Sequence, residues 1–556
     1  MAIPNKLSKV SIIITTYNRS ALLRLAVESV LAQTYPAIEI IVVDDGSTDD
    51  TETIIKQYAQ RVIYIKQTNQ GVSAARNAGF RASSGEYINF LDDDDLFVPI
   101  KIERQVQMFE THPDIGLVHC RYYYTDEKGE PIDKVGPLPE GEVLKKLICG
   151  CFLWLGAPLI RRQSLEQVGL FDEETWSACE DWDLWLRIAE RYPFACVQEP
   201  LGCYRMLSNS RMINNFARLK NGIFVTLERA FANPQLPGEI TAVKSRAYSN
   251  MHLELSFLYY AAKYWDEAQQ SLIDSIALRP GLLDHPEKVL QLIYLGALDV
   301  RTTAPVQFVK DVFDHLPNGL ENLTPYRTQL LAKVFTGLAL RNYGFGRTDE
   351  AKQQLTEALT LYPQWLKQPE IFLELVYDTA VGSQIDDAVN FIDRVFGYLP
   401  SFATSLGMYR ASLLSRVHTE LALQRYATKD LSKAQYHLIQ GVALNPRLLT
   451  EPEDFRKLLC HKAMNLPVKS PCEYTKTVLY NLPEEAKQLK RIQRQALGEV
   501  NIATAFRDYA DGRQQDTISK VFAGVRYHPD FLKNRGVVSI FFRSLSDLLL
   551  RRSITN

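Results

Sequence analysis

The sequence lacks several features that would assign it to a specialised class at once. Lys and Arg total 63 against 65 for Asp and Glu, so no excess charge draws the chain to nucleic acid or anionic lipid. Its eight cysteines form no C-x-x-C pair, which indicates reduced thiols in a cytosolic setting. The longest strongly apolar uncharged run, 147–160, is too short to span a bilayer. Residues 1–6 lead directly into a strand-like segment, so we expect no secretory signal.

The first half of the 556 residues alternates strand-like and helix-like patterns. Four β-branched or apolar runs predict buried strands at Val10–Thr15, Ile38–Val43, Val62–Gln67 and Glu86–Leu91. Helical spacing of apolar or small residues predicts the helices between them, Ser20–Gln33, Thr51–Gln60 and Val72–Ser83. Such alternation is typical of βαβ units, so residues 1–235 are predicted to form a Rossmann-like open α/β sheet.

The second half follows a different rule, an internal repeat with a step of 83 residues. Prolines recur at positions 280, 363, 446 and 529, and tyrosines at 260, 343, 426 and 509. A fixed period of this kind indicates stacked helical units, a solenoid. The second helix of each unit resembles that of a tetratricopeptide motif. We therefore predict an all-α domain over 240–556, with units 243–325, 326–408, 409–491 and 492–556, after a linker at 233–238.

Polar clusters follow three of the predicted strands, at the edge where open sheets bind ligands. They are Thr15–Arg19, Asp44–Ser47 and Asp92–Asp95. Asp92 and Asp94, at i and i+2, can share a hard cation such as Mn²⁺ or Mg²⁺. The plainer alternatives are a solvated acidic loop, a turn or helix cap at Asp44, and a surface cation at Arg76.

Read together, these residues resemble the family 2 glycosyltransferases of the GT-A fold. The matching stretches are VSIIITTYNR (10–19), VVDDGSTD (42–49), NQG to RNAG (69–79), GEYINFLDDDD (85–95), GLFDE (169–173) and EDWDLWLR (180–187). The resemblance does not extend to residues 240–556.

The resemblance implies a metal-assisted, inverting transfer from a nucleotide diphosphate sugar, preferably linked to UDP. Asp181 would be the general base, and Asp94, with Asp92, would bind the divalent cation. The implied nucleotide-sugar site comprises Thr15, Tyr17, Asp44, Arg76, Asp92 and Asp93. Asp181 could instead cap the helix that follows it, or serve both purposes. One base suffices for an inverting displacement, whereas a glycosidase needs two carboxylates and expels no diphosphate.

One position departs from the family pattern. Leu207 stands where many members carry a metal-binding histidine after Tyr204-Arg205. The metal shell would then be completed by water or Asn209, or partly replaced by Arg205. His119, elsewhere in the same region, is expected to be a satisfied core histidine.

The acceptor side is expected around 149–160, between the acidic run and the base. Trp154 could stack on a sugar ring or could pack in the core, and Glu180 and Trp182 are the other candidates there. The acceptor could be a glycan, a lipid-linked sugar or a protein. An alternative function is a weak or inactive transferase domain that serves a helical scaffold, with a protein partner bound to the repeats. The chain would be cytoplasmic or peripheral at the inner membrane face, where a basic helix at 533–552 could lie on lipid or simply cap the last repeat.

Overall fold

The computed structural model describes residues 7–173, 178–207, 215–382, 388–466, 468 and 470–554. Of residues 548–554 it describes the backbone alone. Within these ranges an open mixed sheet is followed by a long helical region. The strands are β1 Val10–Thr16, β2 Ile38–Asp44, β3 Val62–Lys66, β4 Tyr87–Asp92, β5 Leu96–Phe97, β6 Leu117–Thr125, β7 Pro131–Lys134, β8 Leu159–Arg161 and β9 Phe194–Arg205.

The strand order is β3-β2-β1-β4-β8-β6-β9-β5, with β7 paired to β6. The first four strands are parallel, as the alternating pattern predicts. Beyond β4 the sheet changes character, because β8 is antiparallel to both of its neighbours and β9 is parallel to β6. The sheet is therefore open and α/β, with a mixed second half that the sequence pattern does not reveal.

Helices cover the sheet and the loops around it. They are α1 Ser20–Leu31, α2 Thr51–Lys56, α3 Val72–Ala82, α4 Lys101–Thr111, α5 Leu144–Leu147, α6 Arg162–Val168, α7 Glu180–Ala189 and α8 Phe216–Ala232. All seven residues of β1 are buried, which explains why it reads as a continuous apolar run. Its Ile12 and Ile14 share one core with Leu23 and Val27 of α1 and Val42 of β2. Burying each such side chain contributes about 1.5–3 kcal/mol.

The helical region begins at residue 238. Its helices are α9 Gly238–Thr241, α10 Lys244–Ala261, α11 Trp265–Leu278, α12 Pro286–Leu298, α13 Pro305–Asp314, α14 Arg327–Gly344, α15 Thr348–Leu361, α16 Glu370–Gly382, α17 Ala388–Gly397, α18 Arg410–Ala427, α19 Leu431–Leu444, α20 Arg447–Thr450, α21 Glu453–Asn465, α22 Pro471–Tyr480, α23 Gln493–Ala510, α24 Gln514–Tyr527 and α25 Arg535–Ile554. Short 3₁₀ helices lie at 280–282, 321–326, 363–366, 401–409, 484–492 and 529–533.

The repeat of 83 residues is present in the helix bounds themselves. Helices α10, α14, α18 and α23 begin at 244, 327, 410 and 493, and each has 18 residues. The helix that follows each one begins at 265, 348, 431 and 514, and each has 14 residues. The all-helical, repeated nature of this region is confirmed. The tetratricopeptide likeness stays a prediction.

A tyrosine makes the same hydrogen bond in three successive units. The hydroxyls of Tyr260, Tyr343 and Tyr426 donate to main-chain carbonyls 55 residues later, at distances of 2.8, 3.0 and 2.8 Å. Each accepting carbonyl lies just before the recurring Leu-Pro pair. The tyrosine therefore recurs because it joins the beginning of a unit to its end.

The backbone divides into two compact units. One comprises Met1–Arg341 with Thr360–Tyr362, and the other comprises Asn342–Leu359 with Pro363–Asn556. The first contains the whole sheet and helices α1–α13. The predicted linker at 233–238 lies between α8 and α9, and the domain boundaries stay a prediction. None of the helices that the structure describes combines the length and apolar character needed to cross a bilayer.

Candidate active site

The strand register brings the three predicted polar clusters to one edge of the sheet. Thr16 at the end of β1 lies opposite Asp44 at the end of β2, and Thr15 lies opposite Asp92 at the end of β4. Thr15 is nearly buried, and Tyr17 follows directly, half-buried, in the loop after β1. The candidate donor residues therefore surround the carboxyl end of β1.

Asp44 is fully buried and has partners on both carboxylate oxygens. Oδ1 accepts the Ser47 N–H at 2.7 Å, and Oδ2 accepts the Tyr64 hydroxyl at 2.6 Å. Burial and the Asp44 charge raise the pKa of Tyr64. The bond to Ser47 is the turn interaction considered as the plainer alternative. Tyr64, on β3, was not identified from the sequence, where nothing distinguishes it from other strand aromatics.

Asp45 holds the loop that leads into α3. Its carboxylate accepts the Gln67 side-chain amide at 2.8 Å and the N–H groups of Gln70 and Gly71 at 2.9 Å each. Gly71 has a φ of 91°, a left-handed conformation that favours glycine. Asp45 thus fixes the start of the helix that carries Arg76.

Arg76 joins the acidic run to the segment of the predicted base. It is 4% exposed, and its two terminal nitrogens donate to Glu180 at 2.8 Å and to Asp92 at 2.9 Å. Burial alone would lower the pKa of the guanidinium, but the two carboxylates outweigh it and raise the pKa. The surface-cation alternative is wrong for this residue, because α3 turns it inward over the Phe171 ring. Among the residues that the structure describes, its buried Nε has no hydrogen-bond partner.

The four successive aspartates point in different directions. Asp93 accepts the Thr16 hydroxyl at 2.6 Å and pairs with Arg19 at 3.2 Å, while Asp94 pairs with the same arginine at 2.6 Å. Burial, followed by the Asp94 charge, raises the pKa of Asp93 to about 7. Burial and the Asp92 charge raise the pKa of Asp94. The run is therefore largely enclosed, and its carboxylates have partners elsewhere in the protein, in Arg19 and Thr16. The solvated-loop alternative is wrong.

Asp95 is the member of the run that the sequence analysis missed. It is fully buried and accepts the Trp154 indole N–H at 2.5 Å and the Arg205 main-chain N–H at 2.9 Å. Burial and the charges of its neighbours raise its pKa well above the ordinary value. Only the pairing of β5 with β9 brings Arg205 to this position, and local sequence does not reveal that pairing.

Three carboxylates converge in a way that fits a hard cation. Asp92, Asp94 and Asp95 each offer an oxygen within 4.8 Å of the other two, and the part of the chain that the structure describes contains no other such group of three. Carboxylate oxygens are the ligands that Mg²⁺ and Mn²⁺ prefer. Asp92 and Asp94 therefore lie close together, as predicted, and Asp95 is a third member of the same carboxylate group. Asp93 turns away toward Thr16.

Asp181 is the second residue of α7, next to the glutamate that binds Arg76. Its carboxylate accepts the Trp182 N–H at 2.7 Å, whereas the N-cap position belongs to Cys179, so Asp181 is not the N-cap. Burial, followed by the Glu180 charge, raises the pKa of Asp181 to about 7, and Arg76 opposes that shift. A carboxylate with such a pKa is a stronger base than an ordinary aspartate.

The two candidate acceptor tryptophans are core residues. Trp154 is 5% exposed and packs against Tyr122, Tyr204 and Phe97. Trp182 is 3% exposed and donates its indole N–H to the Leu147 carbonyl at 2.9 Å. The core alternative for Trp154 therefore holds, and neither ring offers an open face to a sugar.

The structure describes part of the segment around Leu207, the position where many family members carry a histidine. Asn209 lies outside the described residues, and Leu207 is half-buried. Arg205 donates to the main-chain carbonyls of Asp94 and Glu127, at 2.9 and 2.8 Å. His119 is a core histidine as predicted, and its Nε2 bonds the Pro139 carbonyl at 2.9 Å while burial lowers its pKa to about 4. It is satisfied on one side only, because its Nδ1 has no hydrogen-bond partner among the described residues.

Comparisons with known proteins find similar sequences over the sheet region. The family model described as Glycosyl transferase family 2 matches residues 11–168. An uncharacterized glycosyltransferase of Rickettsia typhi is 38% identical over 198 residues, which are 33% of this chain and 60% of the relative. TuaG of Bacillus subtilis, a glycosyltransferase assigned by its description to teichuronic acid biosynthesis, is 31% identical over 229 residues, which are 39% of this chain and 87% of TuaG.

The chain thus spans about 60% of the length of the rickettsial relative. Among solved structures, TarS 1-349 of S. aureus in complex with UDP matches with a TM-score of 0.37 and 17% identity, covering 65% of this chain and 92% of that chain. A likeness this low supports no statement about the site.

The family model covers the strands that carry Thr15, Asp44 and Asp92, together with Arg76. The match to TuaG extends over 87% of that protein at 31% identity. The chain therefore belongs to glycosyl transferase family 2.

Proposed function

We propose that the chain transfers one sugar from a nucleotide diphosphate donor, preferably a UDP-sugar, to a hydroxyl acceptor with inversion. The observation that carries the proposal is the buried position of Arg76 between Asp92 and Glu180. It ties the acidic end of β4 to the residue next to Asp181. This link supports the proposal that the donor-binding groups and the base act in one site.

The donor would lie across the carboxyl ends of β1, β2 and β4. Asp44 would accept a hydrogen bond from the base, in an orientation fixed by the bonds from Ser47 and Tyr64. The residues proposed to contact the nucleotide sugar are Thr15, Tyr17, Asp44, Arg76, Asp92 and Asp93.

Asp92 and Asp94, with Asp95, would bind the divalent cation, either Mn²⁺ or Mg²⁺. When bound, it would neutralise part of the charge that develops on the leaving diphosphate. Arg76 would add a fixed positive charge on the same side, and a preorganised cation of this kind stabilises an anionic leaving group without reorganisation.

Asp181 would remove the proton from the acceptor hydroxyl. Its raised pKa suits that role, because a base is most effective when its pKa lies near the working pH. Glu180 is committed to Arg76 and would act by positioning. The acceptor can be a glycan, a lipid-linked sugar or a protein. Binding of a protein partner to the helical repeats stays a separate proposal.

Donor turnover by the full chain tests this function. UDP- and GDP-sugars are supplied with Mn²⁺, Mg²⁺ or EDTA, and release of the nucleoside diphosphate is measured. We expect one donor class to be turned over, with loss of turnover in EDTA and in the Asp94→Asn variant. Asp114→Asn, at a carboxylate outside the site, is the matched control. Metal-independent turnover by Asp94→Asn would contradict the proposed metal site, and no turnover of any donor would favour the scaffold alternative.

A further inference from the structure

The carboxylate of Asp44 is closed off on both of its oxygens. Asp44 is 0% exposed, its Oδ1 accepts the Ser47 N–H at 2.7 Å, and its Oδ2 accepts the Tyr64 hydroxyl at 2.6 Å. A ligand that approaches from solvent therefore reaches neither oxygen while both bonds are in place. The proposed contact of Asp44 with the base of the donor requires one of these two partners to leave.

The main chain around Asp44 is fixed on both sides. In the strand register Asp44 lies opposite Thr16 of β1 and Lys66 of β3. Its own carbonyl accepts the Gln67 N–H at 3.0 Å. A movement of β2 would break this pairing on both sides, so access to the carboxylate has to come from one of its side-chain partners.

Ser47 is the partner that stays. Its hydroxyl oxygen accepts the Asn18 N–H at 2.9 Å, and the next residue, Thr48, donates its N–H to the Asn18 side-chain oxygen at 2.8 Å. Gly46 lies so close to the loop after β3 that a Cβ on it would be 2.9 Å from the Asn69 main-chain nitrogen. The turn after β2 is thus held by the loops after β1 and β3, and it keeps the Ser47 N–H on Oδ1.

Tyr64 is the partner that can leave. It lies on β3, the first strand in the sheet order, and its half-buried ring packs at the side of the core. Among the described residues its hydroxyl bonds to Asp44 alone. Burial and this bond raise the pKa of the phenol, so the hydroxyl stays protonated and acts as a donor at neutral pH. Rotation of this one side chain would uncover Oδ2 without breaking a strand or a turn.

An uncovered Oδ2 needs a new donor, because a buried carboxylate oxygen without a hydrogen bond is costly. The bond from Tyr64 therefore holds the carboxylate in its orientation until a ligand supplies a replacement. Uracil offers one N–H between two carbonyl oxygens. That N–H can take the place of the Tyr64 hydroxyl on Oδ2, and a uracil carbonyl can accept the released hydroxyl, so no hydrogen bond is lost.

The other common bases fit this exchange less well. Cytosine and adenine have a lone pair at the corresponding ring nitrogen, and a carboxylate, which only accepts hydrogen bonds, cannot pair with it. Guanine offers two neighbouring N–H groups, which pair best with both oxygens of a carboxylate, but Oδ1 stays bound to Ser47. A single available oxygen favours a base with a single N–H.

We propose that Tyr64 is a specificity-determining residue for the donor: its hydroxyl occupies Asp44 Oδ2 in the free protein and gives up that position to the imide N–H of uracil. The inference rests on the proposed function, because it concerns the donor of that same site. It keeps the subsite closed to bases that cannot supply the N–H.

Binding of nucleoside diphosphates to the full chain tests the exchange. Isothermal titration calorimetry with Mn²⁺ present compares UDP with CDP, with GDP and with the diphosphate of 3-methyluridine, in which a methyl group replaces the N–H. We expect UDP to bind about tenfold or more tightly than each of the others, because UDP alone replaces the bond that Tyr64 gives up.

Removal of the competing hydroxyl tests the role of Tyr64. In Tyr64→Phe we expect the Kd of UDP to fall about tenfold, because no bond has to be broken, while the Kd of the 3-methyl compound stays within about twofold of the parent value. A merely structural role would move both values together. Tyr58→Phe is the matched control and should change neither, since the Tyr58 hydroxyl bonds to Glu28 at 3.0 Å, away from Asp44.

The outcomes separate the two proposals. If none of the nucleoside diphosphates binds to the parent chain, the proposed function itself fails. Unchanged or weaker UDP binding in Tyr64→Phe, an equal gain for the 3-methyl compound, or tighter binding of CDP or GDP than of UDP would overturn the role of Tyr64 and leave transfer from a nucleotide sugar standing.

Discussion

The sheet and the helical repeats use polar side chains in opposite ways. At the edge of the sheet, Arg76 makes contacts found once in the described chain, and three partly or fully buried carboxylates are held close to one another. In the helical region, polar contacts recur at corresponding positions, as the bonds of Tyr260, Tyr343 and Tyr426 do. A contact repeated in every unit serves the unit, whereas an unrepeated and electrostatically costly one needs another reason. The comparison favours the sheet edge as the proposed place of chemistry.

Substitution of the predicted base, Asp181, should give the largest effect and tests the contrast between the sheet edge and the repeats most directly. We expect Asp181→Asn to lower the rate of sugar transfer by about 10²–10⁴-fold, because the amide cannot accept the acceptor proton. Single-turnover product formation measures this. Asp183→Asn, two residues along the same helix, is the matched control, since Asp183 pairs with Arg187 at 2.9 Å outside the cleft. Equal losses in the two variants would show that the helix, not the base, had been disturbed.

Two arginine substitutions compare the regions directly. Arg76→Met removes a buried guanidinium that pairs with Asp92, 34% exposed, and Glu180, 13% exposed, and should lower the free energy of unfolding by about 3–5 kcal/mol. Arg416→Met removes a pair with Glu374 in which Arg416 is 44% exposed, and should cost about 0–1 kcal/mol. Urea unfolding followed by tryptophan fluorescence measures both. Similar losses would remove the distinction between the two regions.

The pH dependence of transfer sharpens the assignment of Asp181. Because its pKa is raised to about 7, the base is protonated and inactive below that pH, so the rate should rise tenfold per pH unit up to about 7 and level off above it. The Glu180 charge is the second cause of the raised pKa, so Glu180→Gln should move the midpoint to lower pH.

Glu199→Gln provides the control for that shift. Glu199 is 51% exposed and pairs with Arg104 at 3.6 Å, so its loss should leave the midpoint unchanged. A rate that is flat between pH 5 and 8, or a Glu180→Gln midpoint above that of the parent, would contradict the assignment of Asp181 as the base.

The smallest effects are expected in the repeats. Tyr260→Phe, Tyr343→Phe and Tyr426→Phe should each lower stability by about 1 kcal/mol, the usual net value of one hydrogen bond. Thermal unfolding of the three variants measures this. One variant with a much larger effect than the other two would break the equivalence of the units.

Local sequence patterns predicted the strands and helices of the first half of the sheet. The first four strands and the helices between them were predicted to within a few residues, because buried parallel strands read as continuous apolar runs. The convergence of Asp92 and Asp94 followed from their spacing at the end of β4. The long strand β9 and the placement of Asp95 beside it depend on contacts more than 100 residues apart in the chain, so no local pattern could show them.

The side-chain contacts around the site also could not be predicted from local sequence patterns. Arg19 and Tyr64 orient the acidic groups through their side chains, which periodicity does not encode. The sequence left Trp154 open between a sugar platform and a core residue, because an indole serves both purposes, and its burial decides the matter. In the repeats, the period of 83 residues was readable because duplication preserved prolines and tyrosines at their positions. Each such proline also begins the next short helix or directly precedes it.

The tyrosine bond closes each of the first three helical units upon itself, since donor and acceptor both lie within one stretch of 83 residues. An array built in this way can gain or lose a whole module without breaking any of these bonds. Its length can then vary over evolutionary time by duplication or deletion of whole units.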